Sequence, residues 1–209
     1  TERQVRTEMG AMLADNEELT EFLGRDHYEH YVPSLVDHLA DRQEFLTSYT
    51  QYQPEIAQGF LQALFEYQSI LVELTGLDVA NCSLYDAATA LGETATLASR
   101  VQTTSGSRVL VPEQMQAGKR SVLDNYANGA GLTVDHYPME DGAVDIAALA
   151  ELISEETVMV YAESPTVRGV IEESLAKISE LTDRYDALFC LGSDPVALAV
   201  LEEPAAVRA

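Results

Sequence analysis

Three stretches of the chain gather side chains that can do chemistry. In "SYTQYQPEIAQG", Tyr49, Tyr52, Gln53 and Glu55 surround Pro54 just ahead of a run of helically spaced apolar residues. Tyrosines supply flat faces and hydroxyls, and an amide with a carboxylate supplies orienting hydrogen bonds, the lining of a polar pocket. An ordinary surface loop has the same composition. In "CSLYDAATA", Ser83, Tyr85, Asp86 and Thr89 stand at a helix start. Free N–H groups at such a start suit a phosphate. Asp86 can instead cap those amides with its own carboxylate, and an acid there repels a phosphate. In "LGSDP", Asp194 follows a strand, where it can hold the protonated ring nitrogen of a cofactor or simply begin the next turn.

Other candidates are weaker. His27, His30 and His38 have spacings that a zinc site can use, but Pro33 interrupts them and no Cys or Glu completes a tetrahedral set. Arg168 in "TVRG" is a lone base in a rim loop, free to meet a ligand carboxylate or one of many surface acids. Cys82 and Cys190 lie far apart in apolar contexts, which reads as two buried structural thiols in a reducing compartment. The sequence has no nucleophile elbow, Walker A loop or Rossmann glycine fingerprint.

The elements that must position these groups change character along the chain. Up to about residue 75 the pattern is helical: "TERQVRTEMGAMLADNEEL", "DNEELTEFLG" ending at Gly24, "VPSLVDHLADRQ", then a long helix that stops at Gly76. From "LDVANCS" onward, short apolar strands alternate with helices: "RVLVP", "LTVDHYP", "TVMVYAES" and "ALFCLGSDP" are strands, separated by helical segments. That alternation predicts an α/β fold with a mainly parallel sheet flanked by helices, preceded by an all-helical N-terminal arm. The division falls at residues 1–75 and 76–209. Ligands of such sheets sit beyond the carboxyl ends of the strands.

Composition narrows the function classes. With 209 residues, 46% hydrophobic, the chain is long enough for one proper core, and no apolar run approaches membrane-spanning length. There is no initiator Met and no secretory signal pattern, so both ends read as cut from something longer and the place of work as the cytoplasm. Asp and Glu number 35 against 12 Lys and Arg, a net charge of −23, dispersed along amphipathic segments. Such a surface repels itself in dilute buffer and is screened at high salt, which points to a salty cytoplasm, or to a merely acidic protein. No basic stripe exists to meet nucleic acid.

From Asp26 to Leu91 the residues become specific. The blocks "HYVP", "YTQYQPEIAQG", "LTGLDVAN" and "SLYDAATAL", in that order, closely resemble the P-proteins of the glycine cleavage system, the glycine dehydrogenase (decarboxylating) family, in its two-subunit form as subunit 1. The likeness continues more loosely through "YPMEDGAVDIAALAELI", "ESPTVRGVIEE" and "SDPVALAVL". The resemblance implies a fold-type I pyridoxal-phosphate-enzyme architecture. It also implies a heterotetramer in which subunit 2 carries the cofactor lysine, decarboxylation of glycine on pyridoxal phosphate, and transfer of the aminomethyl group to the lipoyl arm of the H-protein.

On that resemblance, Tyr49, Tyr52, Gln53 and Glu55, joined by His30 and Tyr31, line a pocket completed by the partner subunit. Ser83, Tyr85, Thr89 and Asp194 mark a vestigial cofactor site. A Schiff-base lysine must sit at the active-site end of the sheet, and Lys119 and Lys177, the chain's two lysines, both read instead as helix residues in surface-like surroundings, so this chain is expected not to hold the cofactor covalently. Two departures fit a half without its own cofactor site: "PEQMQAGKRSVL" lacks the family's His-Pro-Glu run, and "SPTVRG" replaces an Asn-aromatic pair. They also put Asp194 in doubt as a pyridinium partner. The rival reading is a scaffold whose tyrosine loop only packs against its partner.

Overall fold

Short apolar strands in the second half of the chain pair into one parallel sheet, because each is covered by helices on both faces. The computed structural model describes residues 1–17, 19–20, 29–46, 50–101 and 106–209. They form two units, Thr1–Leu46 and Thr47–Ala209. The first holds α1 (Glu2–Leu13), α2 (Ser34–Ala40) and α3 (Gln43–Leu46). A capping box between Thr1 and Gln4 starts α1. None of the residues of these helices is buried.

In the second unit, α4 (Gln58–Thr75) and α5 (Ala87–Val101) precede the sheet. There follow β1 (Arg108–Pro112), α6 (Ala117–Ala130) and β2 (Thr133–Tyr137), a two-residue hairpin of β3 (Met139–Glu140) and β4 (Ala143–Val144), then α7 (Ile146–Leu152), β5 (Thr157–Glu163), α8 (Leu175–Arg184) and β6 (Leu188–Gly192). The sheet order is β2-β1-β5-β6, every pairing parallel. All seven residues of β5 are buried, as a strand covered on both faces requires.

The pleat divides the core in two. Val109 and Val111 of β1, with Met159 and Tyr161 of β5, pack against Leu91, Ala95 and Ala98 of α5 and Leu123 of α6. Leu110, Val160 and Ala162 point the other way, to Leu149 of α7 and Ile178 and Leu181 of α8. Small residues let α5 and α6 approach closely: a Cβ on Gly92 would stand 2.6 Å from Cγ of Tyr126. The mainly parallel α/β architecture expected from the sequence is present. Among the described residues every regular element before β1 is helical, and no helix is long and apolar enough to cross a membrane.

Three local expectations fail for identifiable reasons. "DNEELTEFLG" does not continue as helix at its described residues 15–17, 19 and 20, and the rest of it, with Gly24, lies outside the described residues. Asn16, one of the two residues (with Asp15) that could cap such a helix, instead closes α1, its side-chain amide donating to the Leu13 carbonyl at 3.1 Å. "LDVANCS" is not a strand. Its backbone is claimed by side chains: Gln68 of α4 donates to the Ala80 carbonyl at 2.6 Å, and Asn81 accepts from the Ser83 amide at 2.9 Å. Ser83 takes a positive φ of 81° and its hydroxyl meets that of Tyr67 at 2.5 Å. Cys82 on this segment is therefore exposed, not buried.

Candidate functional site at the carboxyl end of the sheet

The topology brings four features of the larger unit into view. The first is the polar segment ahead of α4. Pro54 fixes a short 3-10 turn, Pro54–Ile56, and the Gln58 amide donates back to the Pro54 carbonyl at 2.7 Å. Tyr52, Gln53 and Glu55 stand exposed around this turn, Tyr52 at 81%. Tyr49 lies outside the described residues, as do His27 and Tyr28. His30 and Tyr31 belong to the first unit and are exposed there. The helix that follows the turn is mainly apolar yet buries none of its 18 residues. Phe65, Tyr67 and Ile70 of α4, with Ile56 before it and Val79 and Tyr85 after it, are exposed.

The second feature is the start of α5. This helix leads into the amino end of β1, so its own N-terminus lies toward the carboxyl ends of the strands. Asp86 Oδ1 accepts from the Thr89 amide at 2.7 Å and from the Thr89 hydroxyl at 2.8 Å. The Thr89 backbone bond, then its hydroxyl, holds the Asp86 carboxyl below its usual range. The helix start is thus capped by a carboxylate of the chain itself. Ser83 and Tyr85 are exposed beside it, Tyr85 at 98%.

The third feature was not legible in the sequence. Lys119 sits in the first turn of α6, which directly follows the carboxyl end of β1. Its side chain turns inward, with only 12% exposed, and its Nζ pairs with Glu163, the last residue of β5, itself 9% exposed. The Tyr161 hydroxyl donates to Glu163 Oε1 at 2.7 Å and lies 3.5 Å from Lys119 Nζ. Burial first, then the charge of Glu163, pushes the Tyr161 phenol well above its ordinary range. Gly192 at the end of β6 makes room for that hydroxyl, since a Cβ there would meet Tyr161 Oη at 2.3 Å. Cys190 completes the surroundings, its thiol pushed up to about 12 by burial. The surface-like surroundings expected for Lys119, and its expected absence from the active-site end of the sheet, are therefore both wrong. Reading one helix for periodicity does not register that a long stem from its first turn can reach a strand end 44 residues away. Lys177, on α8, is exposed as expected.

The fourth feature is the frame around β5 and β6. Buried Glu172 accepts from the Val144 amide at 2.7 Å and the Ser174 amide at 2.8 Å, tying the hairpin to the entry of α8. Ser193 donates to the Ser164 carbonyl at 3.0 Å. Asp194 is half-buried, and its Oδ1 accepts from the Val196 amide at 2.9 Å, a turn-starting contact. A cavity of about 220 Å³ opens here, with Ser164, Ser193, Glu202, Leu175, Leu191 and Val207 on its walls. Arg168 is exposed on the neighbouring turn. No group of His, Cys, Asp and Glu among the described residues is arranged to hold a metal.

The family model described as glycine cleavage system P-protein matches residues 1–209. A probable glycine dehydrogenase (decarboxylating) subunit 1 of Halobacterium salinarum is 60% identical over 197 residues, 94% of this chain and 45% of that protein. The Thermococcus kodakarensis protein of the same description is 43% identical over 208 residues, 98% of this chain and 46% of its own length. A solved glycine decarboxylase (P-protein) of the glycine cleavage system, in inhibitor-bound form, covers 100% of this chain and 46% of its own with TM-score 0.90 and 39% identity. A cystathionine γ-lyase (CalE6) of Micromonospora echinospora shares the fold alone, with TM-score 0.50 and 22% identity over 69% of this chain and 35% of its own. The chain spans about half the length of the curated relatives it matches. Its fold is that of the fold-type I pyridoxal-phosphate enzymes.

The described residues do not fit such a cofactor at this chain's own strand ends. The helix start that would cradle a phosphate carries the Asp86 carboxylate on its amides, and the amine at the sheet end is already paired with Glu163.

Proposed function

The chain belongs to the glycine cleavage system P-protein family, and we propose that it serves as subunit 1 of a glycine-decarboxylating enzyme. In this reading the cofactor, pyridoxal phosphate, is held by the partner subunit and supplies the electron sink for loss of carbon dioxide from glycine. The aminomethyl group then passes to the lipoyl arm of the H-protein, in the cytoplasm. This chain contributes Tyr49, Tyr52, Gln53 and Glu55, with His30 and Tyr31, as a polar wall of the shared pocket. The hydroxyls and the amide orient substrate and cofactor, and Glu55 shapes the local field. Ser83, Tyr85, Thr89 and Asp194 keep a capping and turn-forming role in a site that no longer takes a cofactor.

One observation carries the reading. Tyr52, Gln53 and Glu55 are exposed together on a turn that Pro54 fixes, at the head of an apolar helix none of whose residues is fully buried within the described chain. Polar groups held rigidly beside uncovered apolar surface suit a pocket finished by another polypeptide. The same exposed Phe65, Ile70 and Tyr85 favour the rival, a scaffold whose loop only packs against its partner.

Tyr52→Phe separates the two. With subunit 2 and H-protein present, glycine-dependent carbon dioxide exchange is expected to fall roughly tenfold, the equivalent of about 1.4 kcal/mol from one lost hydrogen bond. Affinity between the subunits should be unchanged. Full exchange activity in the variant supports the scaffold.

A further inference from the structure

Lys119 is the one lysine the fold draws inward, and nothing in the proposed function uses it. We infer that Lys119 is a latent carbonyl-reactive amine, kept shut by its pairing with Glu163 and the Tyr161 hydroxyl. Stability alone does not account for the arrangement. A cation in the first turn of a helix opposes the positive end of the helix dipole, and taking two charges out of water costs more than packing apolar side chains of similar size. Yet Lys119 sits in the first turn of α6 with 12% of its side chain exposed, against a carboxylate 9% exposed. The location is the carboxyl end of a parallel sheet, where α/β folds do their chemistry.

The reactivity follows from the charge state. A lysine attacks an aldehyde as the free amine: its lone pair forms the C–N bond, and the carbonyl oxygen leaves as water. An ammonium has no lone pair to give. The carboxylate of Glu163 occupies the donors of the ammonium, while Tyr161 closes the same oxygen from the other side. Without the carboxylate, the same nitrogen has no anion holding its donors. Cys190 of β6, hydrogen-bonded with Thr94 of α5, borders the cluster and brings no second negative charge, since burial keeps that thiol protonated. The site would accept a small aldehyde or other carbonyl compound only if Glu163 released its partner. The inference does not depend on the tyrosine segment, and its test reads no enzymatic activity.

Reductive methylation with formaldehyde and dimethylamine–borane is the probe, the borane giving hydride to the iminium, and peptide mass mapping gives the rate at each amine. Lys177, exposed on α8, is an internal reference in the same chain. In the full chain at neutral pH, Lys119 should react at least about tenfold more slowly than Lys177, the effect of one charge-assisted hydrogen bond that must open before the enclosed amine can react. Glu163→Gln should bring the two within a few fold, and Glu163→Asp, which withdraws the carboxylate by one methylene, should fall between. Equal rates in the unsubstituted chain overturn the inference, as does a Lys119 that stays protected in folded Glu163→Gln. Should that variant fail to fold, a Lys119 rate in Glu163→Asp no higher than in the unsubstituted chain overturns it equally.

Discussion

Removing one partner of the Lys119–Glu163 pair tests whether the closed end of the sheet is what the geometry makes it. The two side chains are 12% and 9% exposed, so the charge left behind by a single substitution remains largely out of water. Breaking such a pair costs about 3–5 kcal/mol, whereas replacing both partners with apolar groups is often neutral or stabilising. Three variants close the cycle: Lys119→Met, Glu163→Leu and the double. Each single variant should lose about 3–5 kcal/mol, roughly 6–20 °C in midpoint for a chain of this size. Glu163→Leu carries the further loss of the acceptor for the Tyr161 hydroxyl. The double variant should recover to within about 1 kcal/mol of the unsubstituted chain, so the cycle should show strong non-additivity. Denaturant unfolding at low and high salt checks a second consequence: a buried pair is screened little, and its coupling should survive salt that alters everything at the surface. Single variants costing under about 1 kcal/mol, or adding without coupling, would mean that water reaches the pair and that the end of the sheet is open.

Gly92→Ala puts a methyl group 2.6 Å from Cγ of Tyr126 and should destabilise by about 1–3 kcal/mol despite the better helix propensity of Ala; in a Tyr126→Ala background its sign should reverse. Alkaline stability should also decline in a defined window, because burial holds Cys190 up to about 12 and raises Tyr137 and Tyr161 as well. The unfolded chain ionises first, so stability is fully present below the ordinary thiol range of about 8.5 and is lost as pH rises toward the folded values. The urea midpoint should fall across that range and fall less steeply in Cys190→Ala; a flat midpoint contradicts the burial assigned to the thiol.

The sheet was legible because its strands carry their signal locally. Val109–Val111 and Val158–Ala162 are continuous apolar runs, and continuous runs between helices leave little choice but a parallel sheet covered on both faces. The Asp86 cap was half legible, since the sequence placed it at a helix start without saying whether a phosphate or the Asp86 carboxylate would take the free amides. "LDVANCS" misled because its apolar residues look like a strand, while the decisive groups, Gln68 and Tyr67, belong to the preceding helix. The same blindness hid Lys119. Its fate depends on Glu163, a residue at the end of another element, and no periodicity within α6 encodes that meeting. Long-range polar pairs are the part of a fold that local patterns do not carry.

Charge gives these local findings a common frame. With 35 acids and 12 bases, at least 23 acids have no one-to-one partner, and surface repulsion is the dominant long-range term. A basic side chain is then scarce, and each has many acids to choose from. Among the described residues two are drawn into the fold: Arg108 reaches Asp135 at 2.7 Å together with the Leu152 carbonyl at 3.1 Å, and Lys119 reaches Glu163. The first pins the amino ends of the strands and the second closes the carboxyl ends. Against that background, residues 52 to 85 are distinctive for carrying exposed Tyr52, Ile56, Phe65, Ile70 and Val79 with no basic residue among them. The stretch still carries the acids Glu55, Glu66, Glu73 and Asp78, so it is the exposed apolar side chains between them, which bear no like charge, that suit contact with another polypeptide. Closed strand ends and an open aromatic stretch assign the two tasks to different parts of the molecule. That division is why substitutions at Lys119 and at Tyr52 should move different observables.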